Sequence, residues 1–225
     1  HRFAQEGYDL QLAARQVSTL EDDRLDLQLR YSINVTLCEF DALNTQEHEA
    51  FVSGLTVLPI IVVSAIGYMG EQDKSECDID SALLVMRSNY EGPASILGVL
   101  ANQFENRGFG TLVGISSVAG DRGRASNYVY GSAKAGFTQF LSGLRNRLFF
   151  KNVHVITVKP GFVKTKMTAD LLLPTFLTGS SQGLASAIYR AVIKNKNTLS
   201  YKAIWTPIML IIKAIPEGIF KRTKL

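Results

Sequence analysis

The sequence predicts an α/β protein built on a doubly wound parallel sheet, and three observations carry that expectation. Strand-like and helix-like stretches alternate along 225 residues, a single-domain length. The stretches 58–64, 110–115 and 153–158 are nearly unbroken apolar runs, as strands covered on both faces require. The residues with chemistry to offer stand just after strands, where such sheets bind their ligands.

In order, residues 1–7 read as the closing turns of a helix, ended by Gly7 in a C-terminal capping position. Residues 8–14 alternate apolar and polar and form a strand. Residues 18–31 carry Leu, Asp and Arg at helical spacing, with Ser18 as the cap and Glu21 completing a capping box. A strand at 34–40, a helix at 45–55 and the strand at 58–64 follow. Then come one long helix at 82–106, a strand at 110–115, a helix at 126–150, a strand at 153–158 and a helix at 181–194. Right-handed crossovers place the helices on both faces. No repeat or linker divides the chain, so residues 1–225 are one domain with 205–225 as its tail.

Composition narrows the function. With 46% hydrophobic and 20% charged residues the chain is globular, and a net charge of +4 spread along it argues against a nucleic-acid partner. Cys38 and Cys77 lack metal or disulfide spacing, and with three scattered histidines no metal site is expected. Free thiols fit a reducing, cytoplasmic setting. No segment reaches the ~18–20 apolar residues of a membrane-spanning helix.

The strongest chemical signal is Tyr130-Gly-Ser-Ala-Lys134 within the helix at 126–150. A spacing of four sets both side chains on one face. A phenol with a pKa near ~10 is a poor base at neutral pH, and a neighbouring ammonium favours its ionised form. The pair can exchange a proton with a carbonyl or an alcohol. Alone it is a common accident; Tyr128, with Ser132 four residues on, shows the same spacing without the cation. Context adds Ser116-Ser117 at the end of strand 110–115, where a hydroxyl reaches the same crevice or simply shapes a turn.

The steps from Ser117 to Tyr130 and on to Lys134 resemble the short-chain dehydrogenase/reductase family, whose fold is the Rossmann type of doubly wound sheet. The resemblance implies that Tyr130 exchanges the proton and Ser117 orients the substrate oxygen. It also implies that Lys134 lowers the phenol pKa and holds the nicotinamide ribose. Ser116 falls outside the spacing. Asn89 matches the family asparagine that joins a proton relay. Among cofactor positions, Arg15 follows the strand end where NAD-preferring members place a carboxylate, and that place is Ala14 here, so NADP(H) is expected over NAD(H). Asp41 matches the adenine-contacting aspartate. Ser64-Ala65-Ile66-Gly67 stands where most members read NNAG, so both asparagines are missing. Pro160-Gly161-Phe162-Val163-Lys164-Thr165 matches the PGxxxT loop at the nicotinamide carboxamide.

The largest departure lies at the start. The family's TGxxxGxG pyrophosphate turn occurs nowhere in the chain, and the expected explanation is that the first strand and that turn precede His1. At the other end, residues 205–225 alternate apolar residues with bases, and Pro216 divides them into two segments. Such a tail covers a substrate pocket or subunit interface, or rests on the cytoplasmic face of an anionic membrane. With Gly67-Tyr-Met-Gly70, it resembles the branch that reduces ketosugars carried on polyprenyl phosphates. The expected function is reduction or oxidation of a small or lipid-linked carbonyl/alcohol substrate by a homo-oligomer. The alternative is a non-catalytic dinucleotide-binding or peripheral membrane protein.

Overall fold

The computed structural model describes residues 1–168 and 174–223, so residues 224–225 of the expected tail lie outside it. After a 3-10 turn at Ala4–Glu6, closed by Gly7 at φ 79°, the chain enters β1 (Leu10–Ala14), then α1 (Glu21–Tyr31) and β2 (Val35–Glu39). Helix α2 (His48–Ser53) leads to β3 (Ile61–Ser64). Helices α3 (Gln72–Cys77), α4 (Ile79–Met86) and α5 (Gly92–Arg107) precede β4 (Gly110–Ile115). Helix α6 (Tyr128–Leu148) leads to β5 (Val153–Pro160) and the two-residue strands β6 (Val163–Lys164) and β7 (Gly179–Ser180). Then come α7 (Ser181–Ile193), β8 (Thr198–Tyr201), α8 (Trp205–Ala214) and α9 (Glu217–Phe220).

The strands are parallel. β1 pairs with β2, and β3, β4, β5 and β8 form a second ladder in that order. The apolar runs explain the layering, because alternate residues of one strand feed opposite faces. Leu112 of β4 and Val155 of β5 pack with Phe104 of α5 and with Phe137 and Leu141 of α6. Their neighbours Val113 and Ile156 turn to Ile188 and Val192 of α7. Each such fully buried side chain contributes roughly 1.5–3 kcal/mol relative to exposure, so the double winding rests on these two cores.

Among the described residues β1 pairs only with β2. A groove of about 320 Å3 lies between β1 and β3, lined by residues such as Ala13, Val62 and Leu97. Gln11 Nε2 donates to the Val57 carbonyl at 2.8 Å beside it.

Local details differ from expectation. Ser18 does not cap α1: a 3-10 turn at Val17–Leu20 intervenes, and Glu21 pairs with Arg24 instead of reaching back to a cap. The expected long helix at 82–106 is interrupted by a π turn at Arg87–Glu91, which matters for the site. β8 and the short strands β6 and β7 escape sequence patterning because they are brief and only partly buried.

The tail folds back onto the domain. Trp205 and Met209 of α8 bury against Val118 and Phe162. The Arg122 guanidinium donates to the carbonyls of Ile212, Lys213 and Ile215 and pairs with Glu217, satisfying the C-terminal end of α8. Pro216 separates α8 from α9, as its position in the sequence suggests.

Candidate active site

Strand β4 runs straight into two serines whose side chains part. Ser116 is buried, and its Oγ bonds the Lys134 carbonyl at 2.9 Å and lies 2.7 Å from Thr138 Oγ1, fastening the strand end to α6. Ser117 Oγ accepts the Ala119 N–H at 3.1 Å and so opens the 3-10 turn Val118–Asp121. Accepting there leaves its hydroxyl proton to be donated elsewhere. Lys159 of β5 pairs with Asp121 and pins that turn.

Tyr130 and Lys134 both lean from α6 into the same cavity, as their spacing requires. The exposed Tyr128 does not line it. Lys134 is buried; its Nζ donates to the Ile115 carbonyl at 3.0 Å and stands 5.8 Å from the Tyr130 ring centre. Burial pushes the Tyr130 phenol above its ordinary range, while its hydrogen bond to Ser117 pulls it down. Burial also lowers Lys134 to about 8. The lowering that opposes burial comes from Ser117, not from the neighbouring ammonium, and it is outweighed. Loss of water around the phenol dominates at this separation, with the Lys134 Nζ already committed to a carbonyl.

Asn89 sits in the π turn. Pro93, four residues on, has no N–H, so the α-helical partner of the Asn89 carbonyl is missing and the ladder slips to wider spacing. Its fully buried side chain donates from Nδ2 to the carbonyls of Val85 (2.8 Å) and Tyr68, and its Oδ1 accepts the Tyr68 N–H at 3.3 Å. Asn89 thus clamps the segment that follows β3. Within that segment Gly67 presses against the helices: a Cβ there would come within 2.9 Å of Asn89 Oδ1 and 3.4 Å of Lys134 Nζ.

After β5, Gly161 is required by the tail. A Cβ on it would fall 1.9 Å from Trp205 Nε1, so only a bare backbone lets the indole lie against the loop. The indole N–H donates to the Leu177 carbonyl at 3.1 Å.

These elements enclose a cavity of about 350 Å3. Of the expected residues, Ala65, Gly67, Asn89, Ser117, Tyr130, Lys134, Pro160, Gly161, Val163 and Thr165 line it. Arg15 and Asp41 do not; they lie past the carboxyl ends of β1 and β2. Glu39, opposite Ala14, accepts the Gln16 and Val17 N–H groups at 2.8 and 3.2 Å and shapes the turn that carries Arg15. Among the lining residues that escape sequence reasoning are Arg124, Asn127 and Trp205. Their signals are slight, namely an Arg and an Asn between the serine and the tyrosine, and a lone Trp heading the tail.

The nicotinamide end of a dinucleotide fits this arrangement. Gly67 leaves bare backbone against Lys134, while Ser64 Oγ, buried without a partner among the described residues, lines the neighbouring groove between β1 and β3.

A family profile described as short chain dehydrogenase matches residues 1–173. An uncharacterized oxidoreductase of Mycobacterium tuberculosis is 34% identical over 219 residues, covering 96% of this chain and 88% of the relative. A short-chain dehydrogenase from Sphingobium yanoikuyae, solved in complex with NADPH, superposes with a TM-score of 0.81 at 19% identity, covering 96% of this chain and 90% of that one. A short-chain dehydrogenase from Burkholderia cenocepacia in complex with NADP does so at a TM-score of 0.75 and 17% identity, covering 97% and 98%. At such identities the structural likeness speaks to the fold.

Proposed function

The chain belongs to the short-chain dehydrogenase family of oxidoreductases, and on that premise we propose that it reduces a ketone to a secondary alcohol with NADP(H), Tyr130 supplying the proton. The observation that carries this reading is the convergence of Ser117, Tyr130, Lys134 and Asn89 on one cavity at the carboxyl ends of parallel strands.

The cofactor, when bound, supplies the hydride. Gly67, Pro160, Gly161, Val163 and Thr165 hold its nicotinamide end, and Lys134 holds the adjoining ribose. Asp41 takes the adenine, and Arg15 pairs with a 2′-phosphate, with Ala14 offering no carboxylate to repel it. Two structural neighbours carrying NADP(H) support that choice.

The chain's own residues manage the proton. A phenol raised by burial is protonated at neutral pH, which suits a donor to a carbonyl oxygen. Ser117 donates its hydroxyl proton to the same oxygen and polarises the carbonyl. The phenolate left behind regains its proton from Lys134, an amine lowered to about 8 and so able to give one up near neutral pH. Asn89 fixes the Lys134 surroundings through its clamp on Tyr68, next to Gly67.

The test is NADPH and NADH oxidation against a panel of simple ketones and ketosugars. NADPH-dependent turnover of at least one ketone is expected, with NADH clearly poorer; no turnover of any ketone with either cofactor contradicts the reading.

A second reading concerns setting. Among the described residues no helix is long and apolar enough to cross a membrane. Yet Leu210, Ile211 and Ile219 are exposed on the docked tail beside Lys213, Lys221 and Arg222. That face suits a cytoplasmic enzyme touching an anionic membrane to reach a lipid-linked ketosugar. The exposed Phe149 and Phe150 favour a homo-oligomer.

A further inference from the structure

Two cavity-lining side chains each bury a polar atom that has no partner among the described residues. Arg124 Nε is buried without a hydrogen-bond partner, and among the described residues the guanidinium makes no ion pair. Asn127 heads α6 in the N-cap position, where an Asn ordinarily spends its side-chain oxygen on a first-turn N–H. Here it makes no such cap bond, and its Oδ1 is buried and unpartnered. Leaving buried donors, acceptors and charges unmet is costly. Finding both on the lining of one functional cavity points to a bound partner.

The charge of the cavity says what kind. Its lining includes Arg124 and Lys134 and no Asp or Glu among the described residues. Arginine stays charged even where burial lowers its pKa, as it does here, and its planar fork matches two-oxygen anions. Arg124 and Asn127 come from the segment that runs from Ser117 to Tyr130, the two groups that meet the substrate oxygen. They share one cavity with Ser117 and Tyr130.

We propose that Arg124 is the specificity residue of this enzyme, binding an oxyanion (carboxylate or phosphate) carried by the carbonyl substrate, with Asn127 bonding a polar group beside it. This rests on the reductase reading above and names the substrate class within it.

Matched pairs of probes separate the two. The wild type, Arg124→Met and Arg124→Lys are compared on acetoacetate against methyl acetoacetate, and on dihydroxyacetone phosphate against dihydroxyacetone. Both kcat/KM with NADPH and equilibrium binding by calorimetry are measured. Arg124→Met is expected to lose roughly 10- to 100-fold in kcat/KM and in affinity for at least one anionic probe. Its neutral counterpart should change less than about threefold, and Arg124→Lys should recover part of the loss. Which anion is affected distinguishes carboxylate from phosphate. Equal losses on charged and neutral probes, or no loss on either anion, overturn the proposal, the first marking Arg124 as structural. If no probe is turned over but anion binding still depends on Arg124, the anion site stands and the reductase reading falls.

Discussion

Gly67 and Asn89 are in such close contact that the structure has no room for a methyl group between them: a Cβ on Gly67 would lie 2.9 Å from Asn89 Oδ1. The amide cannot simply swing away, because its Oδ1 and Nδ2 are held by Tyr68 and Val85. Gly67→Ala should therefore cost about 1–3 kcal/mol of overpacking and push on Lys134 as well. Reduced thermal stability together with a kcat/KM loss of ten-fold or more is expected. A variant with native stability and native activity would show that the contact is relaxed at no cost.

The two adjacent serines should separate cleanly. Ser117→Ala removes a donor to the substrate oxygen, and a fall in kcat of roughly 100-fold or more is expected, with about 1 kcal/mol of stability lost with the cap on the Ala119 N–H. Ser116→Ala removes the tie between β4 and α6, so about 1 kcal/mol of stability should go, with only a modest loss of kcat. Urea unfolding and steady-state rates on both variants check this. The reverse pattern would reassign the two hydroxyls.

Lys134 makes stability depend on pH in a definite direction. Its folded pKa is about 8 against an ordinary 10.5, so between those values the unfolded chain binds a proton that the folded chain has lost. Wild-type stability relative to Lys134→Met should thus rise as pH climbs from 8 toward 10.5, and that contribution is lost as pH falls through 8. Denaturation of both proteins at pH 7, 8.5 and 10 measures the difference. A difference that stays flat would mean that the amine is not desolvated.

The strand ends were the legible part of this protein. Apolar runs such as 110–115 suit buried strands, and a four-residue step on a helix puts Tyr130 and Lys134 on one face, but that pair gained its weight only from Ser117 at the strand end and the resemblance it completes. Four things were not legible. The π turn depends on Pro93 removing one N–H from a stretch that otherwise reads as unbroken helix. The raised phenol depends on how much water the packed cavity excludes, which no spacing reveals. Arg124 and Asn127 look like ordinary loop residues until the fold shows Arg124 Nε and Asn127 Oδ1 buried with no partner among the described residues. The contact of Trp205 with Gly161 joins residues 44 positions apart, and only the folded tail brings it about.

The most direct test of the chemistry is Tyr130→Phe, which deletes one oxygen and keeps the ring packed beside Val129 and Val85. Steady-state NADPH oxidation with an accepted ketone should fall by roughly 100- to 10,000-fold, while NADPH affinity stays within a few-fold of wild type. Turnover that remains within a few-fold of wild type would contradict Tyr130 as the proton donor.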